Sequence, residues 1–219
     1  MTLARCVVAV DGPSGSGKST VSRRLAQALD ARYLDTGAMY RAATWAVLQA
    51  GVDLGDHEGI TKVVLDAEIA VGIDPAGPLV EVNGTDVATA IRGPEVTAAV
   101  SAVSAVPAVR QILVTKQREM IADAERIVVE GRDIGTVVSP EADLKVYLTA
   151  SVTERARRRS TETEADHHST AEDLARRDHL DSTRATDPLR QAPDALVVDS
   201  TGMDIDEVVG KLKELLTSR

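Results

Sequence analysis

The chain has 219 residues, 43% of them hydrophobic, a net charge of −9, one cysteine and no phenylalanine. That is material for a packed core in one elaborated α/β domain or two small ones. The acidic balance argues against a nucleic-acid partner, the scarcity of aromatics against base-stacking platforms, and the lone Cys6 against an intrachain disulfide.

Residues 5–10, RCVVAV, form a short continuous apolar run, as expected of a parallel strand buried on both faces. Cys6 within it reads as a buried, inert thiol. The N-terminus passes straight into this strand without a signal-peptide pattern, and no apolar run approaches the roughly 18 residues of a membrane span. A cytosolic protein without membrane contact is expected. A Gly-rich loop follows, then KSTVSRRLAQALD, with Val21, Leu25, Ala28 and Leu29 at helical spacing. RYLDTG gives a short strand and turn, and AMYRAATWAVLQAG a helix closed by Gly51. The rhythm then breaks. Residues 63–103 hold two alternating strand-like runs and an Asn83–Gly84 turn signal, which predicts an antiparallel insertion into a core of residues 1–62 and 104–219. GPEVTAAVSAV and PAVRQILVTKQREMIADA read as two helices, the second opened by Pro107. RIVVE (126–130), DLKVYLTA (143–150) and DALVVDST (194–201) are strands, and DIDEVVGKLKELL is an amphipathic closing helix. Residues 154–173 are polar and highly charged, more a flap than a core element, with a lid expected at about 154–172. Strand–helix alternation of this kind predicts an α/β fold: a parallel five-stranded sheet flanked by helices, with its binding edge at the strands' carboxyl ends.

Residues 12–19, GPSGSGKS, match G-x-x-x-x-G-K-[ST] at every fixed position, between an apolar strand and an apolar-periodic helix. The backbone from Gly12 through Pro13, Ser14, Gly15, Ser16 and Gly17 can curl its N–H groups around one anion, helped by the helix N-terminus that Lys18, Ser19 and Thr20 begin. Lys18 would reach the β- and γ-phosphates, and the Ser19 hydroxyl would ligate Mg²⁺. This predicts a site for ATP or another nucleoside triphosphate.

A switch GTPase would carry N-K-x-D, but the only asparagine, Asn83, is followed by Gly84, Thr85 and Asp86. A small-molecule kinase needs an acceptor pocket with cations and a lid against water. LDTGAMYR places Thr36 and Gly37 at a strand-to-helix turn, with Tyr40 and Arg41 one turn on. EGRDIGTVV places Glu130 at a strand end, where an acid can hold the Mg²⁺ hydration shell through water, followed by Arg132 and Asp133. Arg132 and Asp133 offer a phosphate clamp and an acceptor, or else a local ion pair in a turn. Arg177, Asp181 and Arg184 share a face if their segment is helical, either as ligands or as a solvated salt-bridged surface. Arg155, Arg157, Arg158 and Arg159 would bring guanidinium groups to the transferring phosphate if the flap closes, or would be a helix surface. His57, His167, His168 and His179 lack ligand spacing and read as solvent residues.

Taken together, DGPSGSGKST, LDTGAMYR, EVTAAVSAVSAVPAVR, EGRDIGTVV, RDHLDSTRATDPL and ALVVDST resemble the bacterial-type cytidylate kinases nearly end to end. The resemblance implies transfer of the ATP γ-phosphoryl group to CMP or dCMP by a monomer, with Mg²⁺. It implies that the insertion builds the monophosphate-binding domain and that the lid is helical. It implies that Thr36, Ser101, Arg110 and Asp133 face the cytosine, that Arg41, Arg132 and Arg184 hold the CMP phosphate, and that Arg177 and Asp181 meet the sugar. Lys18, Arg132, Arg155, Arg158 and Arg159 would serve catalysis. Cytosine's exocyclic amine donates where uracil's carbonyl accepts, so Asp133 would favour cytosine by about tenfold to a hundredfold. Position 36 is Thr where Ser is also common in the family, and His179–Leu180 replaces more polar residues. The rivals are another small P-loop kinase acting on UMP, AMP or an alcohol, and a non-catalytic ATP-binding module.

Overall fold

The computed structural model describes residues 5–77, 79–163 and 167–218, without the side chains of 159, 162, 163 and 167–170. The chain forms two compact units, Met1–Tyr33 with Glu125–Arg219, and Leu34–Ala124.

The first unit opens with β1 (Cys6–Asp11), all six residues buried. Helix α1 (Lys18–Leu29) follows, and β2 (Arg32–Asp35) ends the segment. The buried face of α1 is Lys18, Val21, Ser22, Leu25 and Ala26, while Ala28 is exposed, contrary to its helical spacing. The 18–22–25–26 row continues the stripe through i+3 and i+4 steps, and Ala28 lies beside it in the last turn.

Within the second unit, α2 (Thr36–Gln49) begins two residues before the expected start, because the Asp35 carboxylate accepts from the Ala38 N–H at 2.9 Å and caps the helix there. Helix α3 (His57–Asp66), unexpected from sequence, has the same device at Asp56, which accepts from the Gly59 N–H at 2.9 Å, and buries Ile60 and Val64. The antiparallel region has three strands, not two: β3 (Ile69–Val71), β4 (Val80–Val82) and the two-residue β5 (Thr85–Asp86). Positive φ at Asn83 (50°) and Gly84 (74°) makes the tight β4–β5 turn. Ala38, Ala42 and Ala46 of α2 form a small-residue face that packs with Val80, Val82, Val87 and Ile91. Helices α4 (Pro94–Ser104) and α5 (Pro107–Ala122) each open on proline, where a missing N–H costs no helix bond.

The first unit resumes with β6 (Arg126–Gly131), a wide five-residue turn at Ile134–Val138, and β7 (Leu144–Thr149). Helices α6 (Val152–Thr163) and α7 (His167–Thr183), β8 (Leu196–Asp199) and α8 (Ile205–Thr217) complete it. The segment read as a flap is helical where it is described, as the resemblance implies for the lid; 164–166 lie outside the described residues. The sheet order is β2-β6-β1-β7-β8, and Val8 aligns with Val128 on one side and Leu144 on the other, both parallel. Burial of both faces of β1, all six residues of it, explains its continuous apolar run. Leu25, Val128, Leu144, Leu148 and Leu212 pack into the core around β1, each contributing roughly 1.5–3 kcal/mol by burial. An apolar cavity lined by Cys6, Val8, Leu29 and Leu216 lies at the amino ends of the strands. No single helix among the described residues is long and apolar enough to cross a membrane.

Candidate active site

The carboxyl end of β1 turns sharply into the phosphate loop. Gly12 has φ 151°, and a Cβ there would lie 2.0 Å from the Leu148 carbonyl oxygen, so only glycine fits against β7. Gly17 (φ 86°) sits at the N-cap of α1 with no side-chain cap, and the first turn holds no acid. Helices α2, α3 and α8 are capped by Asp35, Asp56 and Asp204. The N–H groups and positive dipole end of α1 are thus left for an external anion.

Four cations surround that loop and donate to its own oxygen atoms. Lys18 Nζ donates to the Pro13 carbonyl at 2.7 Å and to Ser16 Oγ at 3.4 Å. Arg132 donates to the Gly12 carbonyl at 3.0 Å and to Ser14 Oγ at 2.7 Å. Arg155 donates to the Ser14 carbonyl at 2.9 Å, and Arg158 to the Ser16 carbonyl at 3.3 Å. Burial, then repulsion from Arg132, pushes the Lys18 ammonium down to about 7. Burial works against the Arg132 charge too, but Asp181, with Asp178 and Glu130 behind it, outweighs burial and the guanidinium is held more firmly than usual. A bound polyphosphate would offset the cost of keeping Lys18 charged.

Acids lock the surrounding elements to this edge. Glu130 is buried at the end of β6, and Tyr33 Oη donates to its Oε1 at 2.5 Å. Asp181 Oδ2 accepts from Arg132 Nε at 3.0 Å. Asp178, which sequence reasoning passed over, accepts from the Ser14 N–H at 3.0 Å and from Arg155 at 2.5 Å. Its place one turn before Asp181 on the same helix was the available signal. Asp11, also passed over, accepts from the N–H groups of Ile134 and Gly135, both at 2.8 Å. Burial raises its carboxyl to about 6, against the pull of those two donors.

The arginines divide accordingly. Arg155 is 7% exposed, tucked against the loop. Arg158 also reaches Ser200, donating to its Oγ at 3.0 Å and its carbonyl at 2.8 Å. Arg157 is exposed and pairs with Glu154 at 2.8 Å. The side chain of Arg159 lies outside the described residues, as do those of His167 and His168; His57 and His179 are exposed. On α7, Asp181 is buried and Arg177 half-buried, so this face is not a solvated surface. Arg184, just past the helix, donates through Nε to the Asp187 carbonyl at 2.7 Å and lies 3.8 Å from Asp133 Oδ1. Ser19 and Thr20 are exposed on the first turn of α1. Lys18, Glu130, Arg132, Asp133, Arg155, Arg158, Arg177, Asp181 and Arg184 all belong to the first unit.

Thr36, Gly37, Tyr40, Arg41, Ser101 and Arg110 belong to the second. Thr36 is buried and Gly37 exposed at the start of α2. Arg41 Nη1 donates to the Ile91 carbonyl at 2.9 Å and to Thr97 Oγ1 at 3.0 Å. Arg110, 1% exposed, stacks its guanidinium over the Tyr40 ring at 5.4 Å and donates to the Ser104 carbonyl at 3.5 Å. Ser101 is half-buried three residues before Ser104 on α4.

The protein-family model described as cytidylate kinase matches residues 8–218. The cytidylate kinase of Rhodococcus jostii is 55% identical over 224 residues, covering 100% of this chain and 98% of the relative. That of Nocardia farcinica is 55% identical over 218 residues, covering 97% and 94%. Among solved structures, a gluconokinase from Sinorhizobium meliloti superposes with a TM-score of 0.52 at 16% identity, covering 100% of this chain and 94% of that one; it shares the fold.

Proposed function

The chain belongs to the cytidylate kinase family, and we propose that it transfers the γ-phosphoryl group of ATP to a phosphate oxygen of CMP or dCMP, giving ADP and CDP or dCDP. The observation that carries this reading is the uncapped N-terminus of α1 ringed by Lys18, Arg132, Arg155 and Arg158. A monophosphate is already anionic and needs little help from a general base, so catalysis rests on alignment and charge stabilisation. In this reading the amides of 12–20 and Lys18 hold the ATP phosphates, and Arg155, Arg158 and Arg159 stabilise the transferring group. Arg132, Arg41 and Arg184 take the CMP phosphate. Thr36, Ser101, Arg110 and Asp133 read the base, Gly37 and Tyr40 belong to the CMP site beside them, and Arg177 and Asp181 meet the sugar. The insertion 63–103 acts as the monophosphate-binding domain.

The Mg²⁺ expected with ATP fits the donors present. Ser19 is an exposed hydroxyl beside the loop, Glu130 a buried carboxylate at the strand end, and no cluster of three or more His, Cys, Asp or Glu side chains forms a cage among the described residues. Oxygen donors few enough to leave room for water and phosphates suit Mg²⁺. Ser19 would hold it directly and Glu130 through water; when bound it supplies charge neutralisation on the phosphates. A cytosolic monomer completes the reading.

The test is ADP release with ATP and Mg²⁺ against CMP, dCMP, UMP, AMP, GMP and shikimate. Turnover strongest on CMP or dCMP is expected. A different preferred acceptor would keep the phosphate loop and discard the base-pocket roles. ATP binding with no transfer to any of them would overturn the reading.

A further inference from the structure

The geometry points to Asp11 as a positioning residue for the acceptor side of the reaction: its carboxylate fixes the turn that aims Arg132 and Asp133, and so sets CMP affinity and base selectivity. This rests on the proposed function above.

Asp11 is the last residue of β1 and immediately precedes the phosphate loop. It is 4% exposed, and its two oxygens are divided between two consecutive donors, Ile134 N–H and Gly135 N–H, each at 2.8 Å. Those are the two residues directly after Asp133. The turn they begin is wide. Val137 and Val138 N–H both point at the Asp133 carbonyl, at 2.8 and 3.2 Å, and the Ser139 N–H reaches the Ile134 carbonyl at 2.7 Å. Such i→i+5 turns leave backbone donors that the helix itself does not use. Here a buried carboxylate from another strand takes them.

The backbone of Asp11 is fixed independently, because β1 is laddered to β6 and β7, with Asp11 opposite Gly131 and Tyr147. Losing the carboxylate therefore leaves the phosphate loop anchored while the 134–138 turn loses its anchor from β1. Arg132 and Asp133 sit between the β6 ladder and that turn, so their aim depends on both ends. Gly135 packs closely on the same carboxylate: a Cβ there would lie 3.4 Å from Asp11 Oδ2 and 3.2 Å from Lys145 Cδ.

The experiment is steady-state kinetics on the full chain with ATP, CMP and UMP. Wild-type protein without turnover on CMP would reject the functional reading itself, before Asp11 is touched. With an active wild type, Asp11→Asn keeps the shape but turns an amide NH₂ toward one of two N–H donors. A KM for CMP raised about tenfold is expected, with the CMP-to-UMP ratio of kcat/KM lowered by a similar factor and the KM for ATP within about twofold. Gly135→Ala is expected to give the same split, about threefold, by crowding Lys145 and the Asp11 carboxylate and so shifting the turn. If Asp11→Asn does not fold, Gly135→Ala decides. Unchanged CMP constants and selectivity, or ATP and CMP constants moving together, would overturn the assignment.

Discussion

The two ends of the five-stranded sheet are made from the same strands and could hardly differ more. At the amino ends, Cys6, Val8 and Leu216 line an apolar cavity. At the carboxyl ends Asp11, Lys18, Glu130, Asp133, Arg155 and Asp181 are buried and Arg132 half-buried, held by hydrogen bonds such as Arg132 to Asp181 and Arg155 to the Ser14 carbonyl. Parallel strands place every strand-to-helix crossover, and every helix N-terminus that follows, on the same edge. Apolar residues stabilise one end by leaving water, whereas the other spends stability to hold charges that an anion will later meet.

The contrast is open to attack from both sides. Lys18→Ala should lower phosphoryl transfer by on the order of 10³-fold or more while leaving the fold intact, read as ADP release alongside a thermal melt. Near-normal turnover would dissolve the functional meaning of the charged edge. Leu25→Ala, in the apolar core with 0% exposure, should do the reverse, costing about 2–5 kcal/mol in denaturant unfolding and sparing turnover per folded molecule. Asp11 gives a titration of the same contrast. Its folded carboxyl is raised to about 6 against 3.8, so between those values the folded state holds more protons than the unfolded state. Stability from this group must then fall as pH rises from about 4 to 6, by on the order of 3 kcal/mol. Unfolding of wild type and Asp11→Asn at pH 4 and 7 checks it: the wild type should lose ground to the variant at the higher pH, and the opposite trend would refute it. Arg158→Ala, which gives up contacts to Ser16 and Ser200, should slow transfer by about tenfold to a hundredfold with KM for CMP little changed. The smallest effect belongs to the apolar end. Cys6 has its thiol raised to about 11 by burial first and Asp143 second, so it should react far more slowly with a disulfide reagent than an unfolded control.

Much of this was legible in the sequence because it is written in local pattern. The five strands, the phosphate loop and the proline-opened helices α4 and α5 depend on runs, periods and fixed spacings that neighbours in the chain enforce. What escaped depends on partners far along the chain or on one cap. Helix α3 rests on Asp56 and two buried residues, Ile60 and Val64, too short a stripe to stand out. The 154–173 segment read as a flap because its charge suggests solvent, yet Arg155 is buried by Ser14 and Asp178, 141 and 23 residues away. Asp11 and Asp178 belong to no phosphate motif, and their roles become visible only when the fold brings backbone N–H groups to them. Arg110 and Asp133, paired by resemblance as readers of the base, fall in different units; their joint action is a matter for the nucleotide panel.

Helix α7 touches the phosphate loop through Asp178 and, three residues later, Arg132 through Asp181. One helix thus meets both the phosphate loop and Arg132 within a single turn. Leu180, exposed between the two, is a natural place for a fluorescent reporter of any change at either contact.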